Sequence, residues 1–185
     1  MIRIIDTEDK IHFCSLIETS ICNTNVKFPE KINRKNFNAS LFFPDSYIIR
    51  EDIFDLLALN FDFNLESILS CHNKGTTTYF EFRELTKEKW QQFFEGKFEN
   101  NFINADFVYF IYSDFVCIFD KTASWLYYHS KDFPNVLFTN KSLIIPHNLQ
   151  DSILSIEDVI DEVGEYLEEK EKFKLKALIK INYKE

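Results

Sequence analysis

The sequence predicts an α+β fold: an antiparallel β-meander sheet with helices packed on one face. Three observations carry this. Between residues 105 and 139, short runs of β-branched and aromatic residues alternate with brief turns, leaving no room for the helical crossovers of a parallel sheet. Residues 155–170 carry Ile156, Val159, Ile160, Val163 and Leu167 at helical spacing. Residues 173–183 alternate apolar side chains with mostly lysines, the period of a strand with one wet face. Residues 1–185 read as one globular domain, with a helical N-terminal half, a meander at 105–140, a helix at 155–170 and a strand at 173–183.

Taken in order, residues 2–5 form a short apolar strand. Thr7 caps a helix over 8–21, where Ile11, Cys14, Ile17 and Ile21 recur at helical spacing. Residues 23–40, rich in Asn and Lys, are irregular, with Val26 and Phe28 as anchors. Phe42 and Phe43 lead into the turn at Pro44-Asp45, and 47–49 is a short apolar run. Glu51 and Asp52 favour the first turn of a helix whose apolar positions are 53, 54, 57 and 58. Leu65, Ile68 and Leu69 suggest a second short helix. Residues 79–85 form a strand, and Thr86 caps a helix with Trp90, Phe93 and Phe94 on one face. Strands follow at 107–112, 115–119, 125–129 and 136–139. Ser155 with Asp158 opens the 155–170 helix as a capping box, Asp replacing the usual Glu or Gln.

Composition excludes several function classes. The 185 residues include 21 Phe but only three Gly, where average usage gives about 13. Those glycines stand at 75, 96 and 164, so no glycine-rich phosphate loop, dinucleotide fingerprint or nucleophile elbow exists. The 45% hydrophobic content argues for a folded chain. No apolar run approaches membrane-spanning length. The N-terminus meets acids at once and lacks a signal peptide's apolar stretch, so a cytoplasmic location is expected.

Cys14, Cys22, Cys71 and Cys117 form no Cys-x-x-Cys pair, which argues for reduced thiols and against a zinc site. His12, His72, His129 and His147 include no His-Glu-x-x-His. A metal site assembled from His12, Cys14, Cys71 and His72 is disfavoured, because adjacent residues 71 and 72 point different ways. No serine or cysteine is flagged as a nucleophile, and no catalytic residue, metal or cofactor is expected. The aromatics sit at core periodicities, and no Lys or Arg occurs from 98 to 120, which argues against a nucleic-acid stacking surface.

Charge carries the functional expectation. The net charge is −9. From 151 to 169 there are eight acids and no base: Asp151, Glu157, Asp158, Asp161, Glu162, Glu165, Glu168 and Glu169. Glu157, Asp161, Glu165 and Glu168 form one row of the helix, with Asp158 and Glu162 beside it. Like charges four apart oppose helix formation, so the row reads either as an ordinary solvated face or as a docking face for a cationic partner. Residues 41–73 add a second acidic region that includes Asp52 and Asp55.

Ser113-Asp114-Phe-Val-Cys-Ile-Phe-Asp120, Ser124-Trp125-Leu-Tyr-Tyr128 and Lys131-Asp-Phe-Pro-Asn-Val136-Leu-Phe together resemble small bacterial immunity proteins of polymorphic toxins, including the contact-dependent growth inhibition type. The likeness spans residues 107–139. It implies a strand ending in Asp, a turn, a Trp-led strand and a later apolar strand. It also implies a partner: the cognate toxin domain, often a nuclease, whose active site or substrate path is blocked. An acidic inhibitor of a basic nuclease gains on-rate by steering. No direct nucleic acid and no membrane is expected as a partner. The alternatives are an acidic anti-defence protein mimicking nucleic acid, and an enzyme whose site assembles only in three dimensions.

Overall fold

Strand-forming runs that are apolar on both sides need cover on both sides, and they dictate the layering. The structure, a computed structural model, describes residues 2–5, 7–17, 37–44, 51–63, 66–73, 76–94, 114–130, 133–165 and 167–183. Its strands are β1 (Ile2–Ile4), β2 (Ala39–Phe43), β3 (Glu66–Asn73), β4 (Thr76–Arg83), β5 (Phe115–Phe119), β6 (Trp125–Ser130) and β7 (Phe133–Thr139). Its helices are α1 (Thr7–Leu16), α2 (Glu51–Phe61), α3 (Lys87–Phe94), α4 (His147–Gln150), α5 (Ile156–Gly164) and α6 (Glu169–Asn182).

The strands join in one seven-stranded sheet, in the order β1-β4-β3-β5-β6-β7-β2. Every pairing is antiparallel. β3 and β4 make a hairpin, and β5, β6 and β7 make the meander the sequence predicts. Beyond β2, Leu154 donates its backbone N–H to Phe42 O at 2.9 Å, forming an isolated bridge along that margin.

The α+β class and the antiparallel sheet agree with the sequence. The helices, however, lie on both faces rather than one. Phe115–Phe119 is buried at all five positions, so its odd and even side chains enter different cores. On one face, Ile68, Cys117, Leu126, Tyr128 and Phe138 pack with Phe13 of α1, Val159 and Ile160 of α5, and Leu175 and Ile179 of α6. On the other, Leu69, Phe80, Phe82, Ile118, Tyr127 and Leu137 pack with Ile53 and Leu57 of α2, Trp90 and Phe93 of α3, and Leu149 of α4. Each fully buried large apolar side chain contributes about 1.5–3 kcal/mol. Aromatic pairs lock both layers: Phe138 stacks on Tyr183 at 5.7 Å, and Phe61 stacks on Trp125 at 4.9 Å.

Three further expectations need correction. Residues 173–183 are not a strand: α6 occupies 169–182. Apolar residues at every second position fall on two opposite sides of a helix, because two residues turn about 200°. Leu175 and Ile179 therefore face the sheet, while Phe173 and Ile181 face away. The 155–170 helix is two helices, α5 ending at Gly164 and α6 starting at Glu169. Ile68 and Leu69 lie in β3 rather than a helix, pointing to opposite cores. The run at 47–49, the anchors Val26 and Phe28, and the strand at 107–112 lie outside the described residues. Among the described residues, no helix is long and apolar enough to cross a membrane.

Candidate functional site

The acidic stretch singled out in the sequence forms the outer surface of α5 and the start of α6. Ser155 sets the helix start with extended backbone. Asp158 N donates to Ser155 Oγ at 3.1 Å, and Ser155 N donates to Asp158 Oδ2 at 2.8 Å, completing the expected capping box. Ser155 Oγ also donates to Asp158 Oδ2 at 2.7 Å, and this bond first, then the one from Ser155 N, holds the Asp158 carboxyl below its ordinary range. Ile156, Val159, Ile160 and Gly164 are buried, leaving Glu157, Asp158, Asp161, Glu162 and Glu165 exposed.

The two helices run in opposite directions. Glu157, early in α5, receives Lys176 Nζ at 3.0 Å and Lys180 Nζ at 3.3 Å, both late in α6. The bonds from Lys176, then Lys180, hold the Glu157 carboxyl below its ordinary range. At the other end, a Cβ added to Gly164 would lie 3.3 Å from Lys172 Cγ, so the small residue lets the helices close together. Glu168 precedes the first turn of α6, and its N–H donates to Glu171 Oε2 at 3.1 Å.

The acids of α2 have structural duties. Asp55 meets Lys87 Nζ at 2.6 Å, tying α2 to α3. Asp52 Oδ1 accepts from Asn148 Nδ2 at 2.5 Å, tying α2 to α4. Of the eight predicted docking residues, the structure brings Glu157, Asp158, Asp161, Glu162, Glu165 and Glu168 together on one hairpin. Asp52 and Asp55 sit on the helix layer of the opposite face. Lys176 and Lys180 were missed as members of the site. Their spacing of four was the available signal, hidden by the strand-like alternation around it.

Two polar groupings lie inside the sheet. His72 Nε2 lies 3.1 Å from Ser70 Oγ, and Thr77 Oγ1 lies 2.9 Å from His72 Nδ1. His72 also stacks on Phe115 at 4.1 Å. Burial pushes its pKa from 6.5 down to about 4, so the imidazole is neutral near pH 7. Ser70 is fully buried, which keeps this Ser-His pair away from a surface substrate. Its geometry is that of a satisfied core histidine. The second grouping centres on Glu81, which is 2% exposed and paired with Lys121 at 2.8 Å and Arg83 at 3.0 Å. Lys121 also pairs with Glu66; these bonds, Glu66 first, raise its pKa. Opposite charges and hydrogen bonds make this buried carboxylate tolerable.

Cys71 joins the core of one face, while its neighbour His72 stacks on Phe115, which belongs to the other. Among the described residues, no group of three His, Cys, Asp or Glu side chains is placed to hold a metal ion.

Comparison with known protein families, curated proteins and solved structures returns no match.

Proposed function

We propose that this chain is an inhibitor of the immunity-protein type: it binds a cationic toxin domain and blocks its active site or substrate path without chemistry of its own. The observation that carries the reading is the outer surface of α5. Asp158, Asp161, Glu162 and Glu165 are exposed on a single helix, and no Lys or Arg occurs between 151 and 169. The resemblance of residues 107–139 to immunity proteins supports the same reading, as does the net charge of −9. A fixed row of carboxylates attracts a basic partner before contact and competes for the sites where that partner holds phosphate. Glu157 is set aside, because two lysines already neutralise it.

The test is binding of the full chain to the toxin domain encoded by the adjoining reading frame, followed by association kinetics at increasing salt. The expected result is a complex whose association slows with salt. Changing Asp151→Lys together with Glu162→Lys should cut the association rate about tenfold with the fold intact. No complex and no protection on co-expression, or an unaltered association rate in the double variant, overturns the reading.

A further inference from the structure

Helix α6 has a second apolar side, turned away from the sheet. Leu175 and Ile179 enter the core, whereas Phe173, Ala177 and Ile181 recur four residues apart on the outside, Phe173 retaining 75% and Ile181 78% of its surface. Leu178, beside Ala177 and Ile181, is exposed as well. From Phe173 to Ile181 the ridge runs about 12 Å. Single exposed apolar residues are ordinary; a ridge along more than two turns of one helix is a patch.

Lysines stand on both sides of this ridge. At about 100° per residue, Lys172, Lys176 and Lys180 line the side toward α5, where Lys176 and Lys180 meet Glu157. Lys172 lies 3.9 Å from Glu169, so three lysines share two carboxylates and the row stays cationic. The same rotation puts Lys170 and Lys174 on the opposite side, where both are exposed. The exposed carboxylates of α5, Asp158, Asp161, Glu162 and Glu165, lie beyond the first lysine row. Across α6 the order is therefore lysines, apolar ridge, lysines.

We propose that this face docks an acidic amphipathic helix of another protein. The partner helix lays an apolar stripe on Phe173, Ala177 and Ile181, and the small Ala177 at the centre lets the axes approach to about 8–10 Å. It carries carboxylates on both flanks of that stripe, one set meeting Lys170 and Lys174, the other Lys176 and Lys180. The charge order selects this occupant. A second copy of α6 would set lysines against lysines on both flanks. A flat anionic lipid surface that reached the ridge would also reach the carboxylates of α5, which packs on the same face of the sheet. A single helix, about 10 Å across, rests on α6 alone. Its carboxylates sit nearer the lysines than the α5 acids. Screening over about 8 Å at physiological salt leaves those nearest charges dominant over the net charge of −9. The partner is opposite in charge to the one proposed for α5, so the inference goes beyond that reading and is tested without it.

The probes are three synthetic helix-forming peptides of 14 residues, the length of α6. Each carries Leu at every third or fourth position; Glu stands on both flanks of that stripe, on one flank, or on neither, with Gln in its place. Binding to the full chain is read by fluorescence anisotropy. Affinity should rise about threefold with each Glu flank. The differences should shrink as salt rises from about 0.15 M to about 1 M. Phe173→Asp should weaken binding of all three peptides about tenfold. Lys174→Glu should leave the two-flank peptide binding no better than the one-flank peptide. Both positions are exposed, so both variants should keep the circular dichroism of the parent. No binding of the two-flank peptide, equal affinity for all three, or binding unaltered by Phe173→Asp overturns the proposal. Vesicles of anionic phospholipid that bind the parent more tightly than the peptides, and lose it in Phe173→Asp, assign the face to lipid. A parent dimer that Phe173→Asp converts to monomer assigns it to a second copy. Either result overturns the proposal equally.

Discussion

Glu157 and Lys176 lie 3.0 Å apart across the seam between α5 and α6. A carboxylate that sequence spacing assigns to a docking row is, in the folded chain, part of a helix-to-helix contact. Its neighbours along the row, Asp161 and Glu165, are exposed as well but make no such ion pair among the described residues. The same helix therefore carries both an acid that holds the fold and acids left open to solvent.

Replacing Glu157 with Lys puts three cations together at the seam. Thermal melting of Glu157→Lys should fall below that of the parent, and the loss should shrink in high salt. Asp161→Lys should leave the melting temperature close to the parent. Equal melting of the two variants would mean the seam pair contributes nothing to stability.

The His72 imidazole gives a pH dependence. Its folded pKa is about 4 against 6.5 unfolded, so the unfolded chain binds the extra proton between those values. The associated stability is complete above pH 6.5 and is lost as pH falls toward 4. The expected loss is about 3 kcal/mol, read from urea unfolding at successive pH values. His72→Asn should flatten this part of the profile. A parent profile flat between pH 6.5 and 4.5 would exclude the burial effect.

Tyr127 lies fully buried in the sheet, and its hydroxyl has no hydrogen-bond partner among the described residues. Burial pushes its pKa well above the ordinary phenol value, the same desolvation seen from the proton's side. Tyr127→Phe removes the orphaned group and keeps the ring. Stability should rise by about 1 kcal/mol, measured by denaturant unfolding. A loss of stability would reveal a partner for the hydroxyl.

Glu84 follows β4 with φ of 49° and an exposed side chain. The left-handed region costs a residue with Cβ about 1–2 kcal/mol, and glycine returns about half of that through its freer unfolded chain. Glu84→Gly should therefore stabilise the protein by about 0.5 kcal/mol in the same unfolding assay. A decrease would show that the Glu84 side chain makes a contact worth more than the strain.

Much of the fold was legible where one physical signal acted alone. Ser155 and Asp158 announce the start of α5, and the turn at 120–124 separates β5 from β6. Asp120 holds that turn by accepting from Ser124 N and Ser124 Oγ, each at 2.6 Å. The reading failed where two burial demands overlapped. Phe173, Leu175, Ala177, Ile179 and Ile181 imitate strand alternation because α6 is apolar on opposite sides. The second helix layer was equally hidden, since a run such as Phe115–Phe119 shows burial without saying what covers each side. The site was legible as a count of acids along α5. Which of them are already paired depended on α6 being a helix, since the pairing of Glu157 with Lys176 and Lys180 spans about 20 residues of sequence.

The Phe42–Leu154 bridge bears on a hazard that the two-faced core creates. Both broad surfaces of the sheet are shielded by helices, so a foreign strand can add only along a margin, where backbone groups stand open. At one margin the edge strand β1 is three residues long and covers Phe80–Phe82 of β4. At the other, Leu154 already occupies the carbonyl of Phe42, midway along the final strand's apolar stretch. Among the described residues, a chain with 21 Phe thus presents one margin that ends in a three-residue strand and another on which Phe42 is already engaged, and both features oppose growth of a cross-β stack.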